Sequence, residues 1–353
     1  MVTKMKKLFK KDIENILMGA TFLGAGGGGS QLPALKSLDE MMKSVDFVEM
    51  VSAEEVSDSS NAIVSAGMGS PEVLLKSGWH GEQIYAFEKA EELLGKIDFV
   101  VAVETGGFNS FTAIQTAGIK HKKLIDGDGA GRAIPELEQT TFYKYGINAV
   151  PLILADNQGN SAILYPKDAY MGEQMGRAIT TVFNMTAGIA TYFMSGKQLK
   201  QSIVPGTMTT NEMIGKIIKE SVESKKDVVE AILSTIDGYL LAKGKIKKKT
   251  VEVKGGFDFG RIYVDDVIVD FKNENMIAWK NNKPIAMVPD SICWITTDGI
   301  PLTNADIKEG MEVAVIGKKA HPKFRDEKVY SMFTHILESI GYTGEFKPIE
   351  ELV

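Results

Sequence analysis

Cysteine occurs once in this sequence, at Cys293, and histidine four times. A lone thiol excludes an internal disulfide framework and a multi-cysteine zinc site. Set in the apolar run SICWI, Cys293 reads as a buried structural thiol rather than a nucleophile. None of His80, His121, His321 and His335 stands in a His-x-x-x-His pattern, which argues against a histidine-rich metal centre. No apolar run reaches the roughly 18 residues of a membrane span. Basic clusters are nearly missing: Lys245–Lys249 (KIKKK) stands out in a chain of net charge −6, which disfavours a nucleic-acid partner. The opening KMKKLFKK leads straight into a polar-interrupted helical pattern and does not read as a secretory signal. Together with the scarce cysteine, this predicts a cytoplasmic protein.

What the sequence does have is glycine, 35 residues of it, gathered where apolar runs end. Val100–Val103 runs into Glu104-Thr105-Gly106-Gly107, and Leu124-Ile125 into Asp126-Gly127-Asp128-Gly129. Apolar runs of this length between helical patterns read as buried parallel strands. In open α/β sheets, ligands sit just beyond the carboxyl ends of such strands. Glu104, Asn109, Asp126, Asp128, Arg132 and Glu136 are therefore the first site candidates.

Along the chain, Asp12 predicts a helix N-terminus, with Ile13, Ile16, Leu17 and Ala20 at helical spacing. The glycine run Gly24–Gly29 follows, then a second helix over residues 32–45. The run contains G-x-G-x-x-G, but a dinucleotide fingerprint must follow a strand, and here a helix precedes it. Two readings remain: backbone N–H groups of Gly26, Gly27, Gly28 and Gly29 that bind an anion or a carbonyl, or close packing through small residues. Strands are expected at 46–51, 62–66, 99–103, 123–125 and 149–154, and helices at 81–94, 109–117, 135–145 and 168–183. The strand at 62–66 ends in another glycine-bearing loop, Gly67-Met68-Gly69-Ser70-Pro71, and Met68 and Gly69 join the candidates. The β/α alternation predicts a three-layer α/β/α sandwich over residues 1–238. From residue 239 to 353 the runs become short, β-branched and turn-separated, predicting a smaller, mainly-β, barrel-like domain with a closing helix.

Three acids at adjacent strand ends, Glu104, Asp126 and Asp128, can divide acid and base roles or hold a hard cation. A divalent metal would take Asp126 and Asp128, with His80 the first histidine to join them. The competing reading is that both aspartates only bond their own turns. Arg132 and Glu136, four apart, read as an anion clamp or as a simple ion pair. Ser110 and the Thr140-Thr141 pair read as caps and packing residues.

The segments GATFLGAGGGGS, GMGSPEVLLKSG, ETGGFNS, IDGDGAGRAIPELEQTTF, VPGTMT, FKNENMIAWK and VPDSICWI resemble the S-methyl thiohydantoin desulfurase family (DUF917). The resemblance runs from about Asp12 to Ile316, and IDGDGAGRAIPELEQTTF is its most specific piece. It implies an α/β/α domain followed by a β-barrel domain. It also implies an association with hydantoinase/oxoprolinase-type enzymes and hydrolytic removal of a sulfur substituent from a five-membered ring.

The expected function is hydrolysis of a small cyclic amide or thiohydantoin. Glu104 or Asp126 would serve as base, and Asp128 as acid or metal ligand. Backbone N–H groups of Gly26–Gly29 or Gly106-Gly107 would meet developing negative charge. Asn109 or Arg132 would orient the ring or a carboxylate on it. The alternative is a non-catalytic subunit that binds a nucleotide or metabolite and partners a hydantoinase-like protein. Exposed strand edges in the β-domain make a homo-oligomer plausible.

Overall fold

A computed structural model describes residues 5–69, 74 and 78–353. Ser70 and Pro71 of the predicted loop lie outside the described residues. Two eight-stranded sheets make up the frame. The first runs in the order β1 (Lys6–Leu8), β2 (Val48–Val51), β5 (Lys123–Ile125), β4 (Phe99–Val101), β3 (Asn61–Gly69), β9 (Thr186–Ser195), β7 (Leu152–Ala155) and β8 (Ser161–Leu164). Strands β2, β5, β4 and β3 are mutually parallel, and the rest join antiparallel. Along the inner strands, alternate residues are buried on opposite faces. Ile63, Val100, Leu124 and Ile153 enter one core, and Val64, Val101, Ile125 and Leu154 the other. Helices therefore cover both faces, giving the three layers expected. On the first face lie α1 (Lys10–Leu23), α2 (Gln31–Met41), α3 (Glu82–Leu94) and α4 (Asn109–Ile119); α6 (Ala169–Val182) and α7 (Gly196–Ser202) lie on the second.

Two parts of this layer differ from the sequence expectation. Strand β9, TAGIATYFMS, was not expected, yet it sits inside the sheet between β3 and β7. It is buried on both sides, so no polar alternation marks it. The predicted helix over 135–145 shrinks to α5 (Thr141–Lys144). The preceding backbone is held open by side chains, two of them from other segments of the chain. Ile134 N–H donates to Glu104 at 2.6 Å, Leu137 N–H to Glu173 at 3.1 Å and Glu136 N–H to Gln139 at 3.1 Å. Amides used this way have no need of helical carbonyls.

Helix α8 (Thr207–Glu223) crosses α1 so closely that a Cβ on Gly19 would lie 1.8 Å from Asn211 O, and one on Gly215 1.9 Å from Asn15 O. After α9 (Val228–Ile236) the second sheet begins. It is wholly antiparallel, in the order β15 (Lys283–Met287), β14 (Glu274–Lys280), β13 (Val267–Lys272), β12 (Phe257–Val264), β11 (Tyr239–Lys254), β18 (Glu312–Lys318), β16 (Ser291–Thr296) and β17 (Pro301–Leu302). The long β11 pairs with β18 through its first half and with β12 through its second, with a register shift in each ladder. The bent strand curls the sheet around a core containing Ile262, Val269, Trp294 and Val315. Asn275 Nδ2 of β14 donates to Ile292 O of β16 at 2.7 Å across the curl. Among the described residues no ladder joins β15 to β17, so the sheet is curled but open. Helix α10 (Glu327–Ser339) packs outside it. A two-stranded ribbon, β6 (Gly127–Asp128) with β10 (Val204–Pro205), and the short α11 (Ile349–Leu352) complete the chain. Among the described residues no helix is long and apolar enough to cross a membrane.

Candidate active site

The carboxyl ends of β3 and β4 face the β-rich sheet across a cavity of about 360 Å³. Its wall on the α/β side comes from the glycine run, the end of β3, and the loops after β4 and β5. Gly26–Gly29, Met68, Gly69, Glu104, Asn109 and Glu136 all line it. The β-rich side adds Lys249, Asp258, Phe271, Asn273 and Glu274.

The glycine run is a seam rather than an open anion nest. Gly26 O accepts from Asn304 N–H at 2.7 Å, and Ala25 O from Asn275 N–H at 2.8 Å, tying the loop to the second sheet. Gly28 O accepts from Phe108 N–H at 3.0 Å. A Cβ on Gly28 would come 2.5 Å from Gly106 Cα, and one on Gly27 2.0 Å from Glu274 Oε1. Only glycine permits that approach of backbone to backbone and of backbone to carboxylate. Three of the six amides expected to stabilise developing charge are engaged: Gly27 N–H donates to Gly24 O, Gly28 N–H to Glu274 Oε1 at 3.4 Å and Gly106 N–H to Ser110 Oγ at 3.3 Å. Gly106 and Gly107 do not line the cavity. A helix, α1, precedes the run, so the strand that a dinucleotide fingerprint requires is missing.

The three strand-end acids separate. Glu104 faces the cavity. Its Oε1 accepts from Asn109 Nδ2 at 2.7 Å, while Asn109 Oδ1 accepts from Gly67 N–H at 3.0 Å. Asn109 thus orients Glu104. Asp126 and Asp128 lie outside the cavity lining. Asp126 accepts from Thr209 N–H at 3.0 Å and Thr209 Oγ1 at 2.5 Å, capping the first turn of α8. Asp128 accepts from Ala130 N–H at 2.8 Å, Gly131 N–H at 2.6 Å and Thr105 Oγ1 at 2.7 Å. These are turn bonds, and they lock the loop after β5 to the loop after β4. His80 is exposed and its N–H donates to Glu82 at 3.0 Å. Among the described residues, Asp126, Asp128 and His80 form no common metal-ligating group.

Arg132 is fully buried and neither clamps the cavity nor pairs with Glu136. Its guanidinium donates to Ala133 O at 3.0 Å, Asp290 O at 2.8 Å and Asn275 O at 2.7 Å, pinning the loop after β5 to the second sheet. Burial pulls its pKa down to about 10. Glu136 instead meets Lys272 Nζ at 2.5 Å and His335 Nε2 at 2.8 Å. Burial alone would raise Glu136, but His335 and Lys272 hold it below the ordinary carboxylate value.

Sequence reasoning missed Glu274. It is 4% exposed, its Oε2 has no hydrogen-bond partner, and it lines the cavity. Burial pushes its pKa up to about 7, against the pull of Arg132. Burial raises Glu104 as well, well above the ordinary value, and the charge of Glu274 adds to the rise. The signal available in sequence was an acid inside the apolar run ENMIAWK, directly after Asn273, whose φ is +53°. A second group also went unread. Ligand atoms of Glu136, Glu138 and His335 lie within 4.8 Å of one another. Burial first, and then the charge of Glu136, push Glu138 up to about 7. A cation there would lie beside the Lys272 ammonium already paired with Glu136, whose other oxygen accepts from Gln139. This cluster therefore fits a metal poorly. Cys293 is fully buried, and burial pushes its thiol up to about 11, as a structural residue requires.

Comparison with known proteins agrees with this architecture. The model for the S-Me-THD-like N-terminal domain matches residues 11–166, and that for the S-Me-THD-like C-terminal domain residues 167–349. Their junction falls between β8 and α6, so β9 of the first sheet belongs to the second match. A crystal structure of a protein from Chromobacterium violaceum is similar, with a TM-score of 0.85 at 26% identity, covering 98% of this chain and 100% of that one. No curated protein matches. With both domain models matched in sequence order, the chain belongs to the S-Me-THD-like family, the S-methyl thiohydantoin desulfurase-like proteins (DUF917).

Proposed function

We propose that this protein hydrolyses the exocyclic C–S bond of a small S-methyl thiohydantoin, using Glu104 and Glu274 as a paired acid and base. The observation that carries the reading is this pair. Two buried carboxylates face one cavity, each raised by burial, with one oxygen unpartnered. Like charges in a dry site cannot both ionise easily, so near neutrality the pair holds one proton between them. A pair in that state offers one hydrogen-bond donor and one acceptor. An S-methyl thiohydantoin presents the complement: a ring N–H beside a C=N nitrogen.

The ionised carboxylate takes a proton from water as its oxygen bonds to the ring carbon that carries sulfur. The protonated carboxyl gives its proton to the C=N nitrogen, so the adduct is neutral and needs no separate anion hole. The C–S bond then breaks as the C=O forms. The second hydrogen of the water leaves on sulfur, as methanethiol, and the ring is released as a hydantoin. Asn109 fixes the rotamer of Glu104, and Gly28 N–H contacts Glu274. Both second contacts hold the acids in place while the glycine seam excludes bulk water. No step is routed through a metal.

The test is release of methanethiol from a panel of S-methyl thiohydantoins by the purified protein. Turnover lost in both Glu104→Gln and Glu274→Gln, with the fold retained, supports the reading. Turnover that survives both substitutions refutes the roles given to the pair, and its absence in the unmodified protein refutes the activity.

A further inference from the structure

The cavity lining combines carboxylates with apolar side chains. Beyond the paired acids its wall is built from Met68, Trp79, Phe108, Ile189, Val251 and Phe271. Trp79 and Phe108 pack edge to face, with ring centroids 4.8 Å apart. Gly67 is fitted to them: a Cβ there would lie 2.7 Å from Phe108 Cε1 and 3.3 Å from Trp79 Cη2.

The charged lining is one-sided. Among the described residues it comprises the acids Glu104, Glu136, Glu173, Asp258 and Glu274 against two cations, Arg177 and Lys249. Both cations are engaged. Arg177 Nε donates to Glu173 at 2.6 Å and its NH1 to Gly256 O at 2.9 Å, and the guanidinium lies 3.8 Å from the Phe257 ring centroid. Lys249 Nζ donates to Asn304 O, and to Ile307 O at 3.1 Å. Arg132, the cation that sequence offered for a substrate carboxylate, is buried among three carbonyls away from the lining.

Resting on the proposed ring hydrolysis, we infer that the ring substituent this cavity selects is uncharged and apolar, aliphatic or aromatic, and that carboxylate-bearing rings are excluded. The substituent lies along the Trp79–Phe108 wall, where burial of apolar surface favours it. A carboxylate in the same place would lose its water and face several acids, with Arg177 already paired to Glu173 and two of the three Lys249 donors taken by carbonyls. The discrimination is therefore built from repulsion as well as attraction.

The experiment compares S-methyl thiohydantoins carrying benzyl, isobutyl or 2-carboxyethyl at the ring carbon. The expected kcat/KM for benzyl and isobutyl exceeds that for carboxyethyl by about tenfold or more. Val251→Lys places a cation on the half-exposed strand at the cavity rim. It should narrow that ratio, most strongly at low salt. Equal or better turnover of the carboxyethyl ring by the unmodified protein overturns the inference. If no ring is turned over, calorimetric binding of the three corresponding hydantoins separates the two readings. The same order of affinity supports the inference while the hydrolytic reading fails. The reverse order, or no binding of any, overturns the inference as well.

Discussion

Asp128 and Glu274 are both buried acids beside glycines, yet they do opposite things. Asp128 accepts three hydrogen bonds from one turn and one neighbouring loop. Glu274 accepts one long bond from Gly28, leaves its other oxygen buried without a partner and lines the cavity. The first acid is a structural pin and the second is chemically available. Burial and residue type do not separate them; the number of donors does. The turn after β5 supplies Asp128 with two donors from its own backbone, so that acid is satisfied locally. Glu274, at the start of β14, gets a single long bond, and its second oxygen goes unpaired.

The largest effect should come from the available pair. Glu274→Gln and Glu104→Gln keep the shape and remove the proton transfer, so methanethiol release should fall by about 10²–10⁴-fold. Neither substitution should lower the melting temperature appreciably. The converse holds for the pin. Asp128→Ala orphans two backbone amides and the Thr105 hydroxyl, and should cost about 3 kcal/mol or more in urea unfolding. If Asp128→Ala proved stable but inactive, the contrast between the two acids would collapse.

The parallel strands, their glycine-ended loops and the position of Glu104 were legible because each is a local pattern: an apolar run, then an acid, then glycine. The same pattern misled at Asp126 and Asp128, which share the motif but cap the first turn of α8 and pin the loop after β5, respectively. Arg132 was legible as important but not as to role, since its partners Asn275 and Asp290 lie more than a hundred residues away. Strand β9 hid because a strand buried on both faces shows no alternation. Glu274, Lys272 and His335 come from the far half of the chain, and only the fold brings them to the site. The segment FKNENMIAWK was visible as a family resemblance, while the reason for its acid was tertiary.

The pH dependence sharpens the comparison further. Glu274 is raised from the ordinary 4.5 to about 7 in the folded protein. Its folded form holds the proton more tightly than the unfolded chain does. The associated stability is therefore full below about pH 4.5 and is lost as pH climbs through about 7. Glutamine does not titrate, so unmodified protein should lose stability relative to Glu274→Gln across that window, by up to about 3 kcal/mol. Paired thermal melts at several pH values read this directly. A flat difference would mean that Glu274 is not desolvated and that the cavity is wetter than its lining implies.

The smallest effect belongs to His335, whose side chain is 45% exposed and bonds Glu136 Oε2. The hydrogen bond to Glu136 raises its pKa above the ordinary 6.5. The pair therefore contributes fully below about pH 6.5 and fades as pH rises through the elevated folded value. Solvent screens it, so His335→Ala should cost less than about 1 kcal/mol at pH 6 and almost nothing at pH 9. Turnover should hold within about twofold, because Lys272 still neutralises Glu136. A hundredfold loss of activity without loss of stability would place His335 in the chemistry. It would then join Glu274 as a residue whose neighbours in sequence give no hint of its work, and the count of local donors would cease to be a sufficient guide.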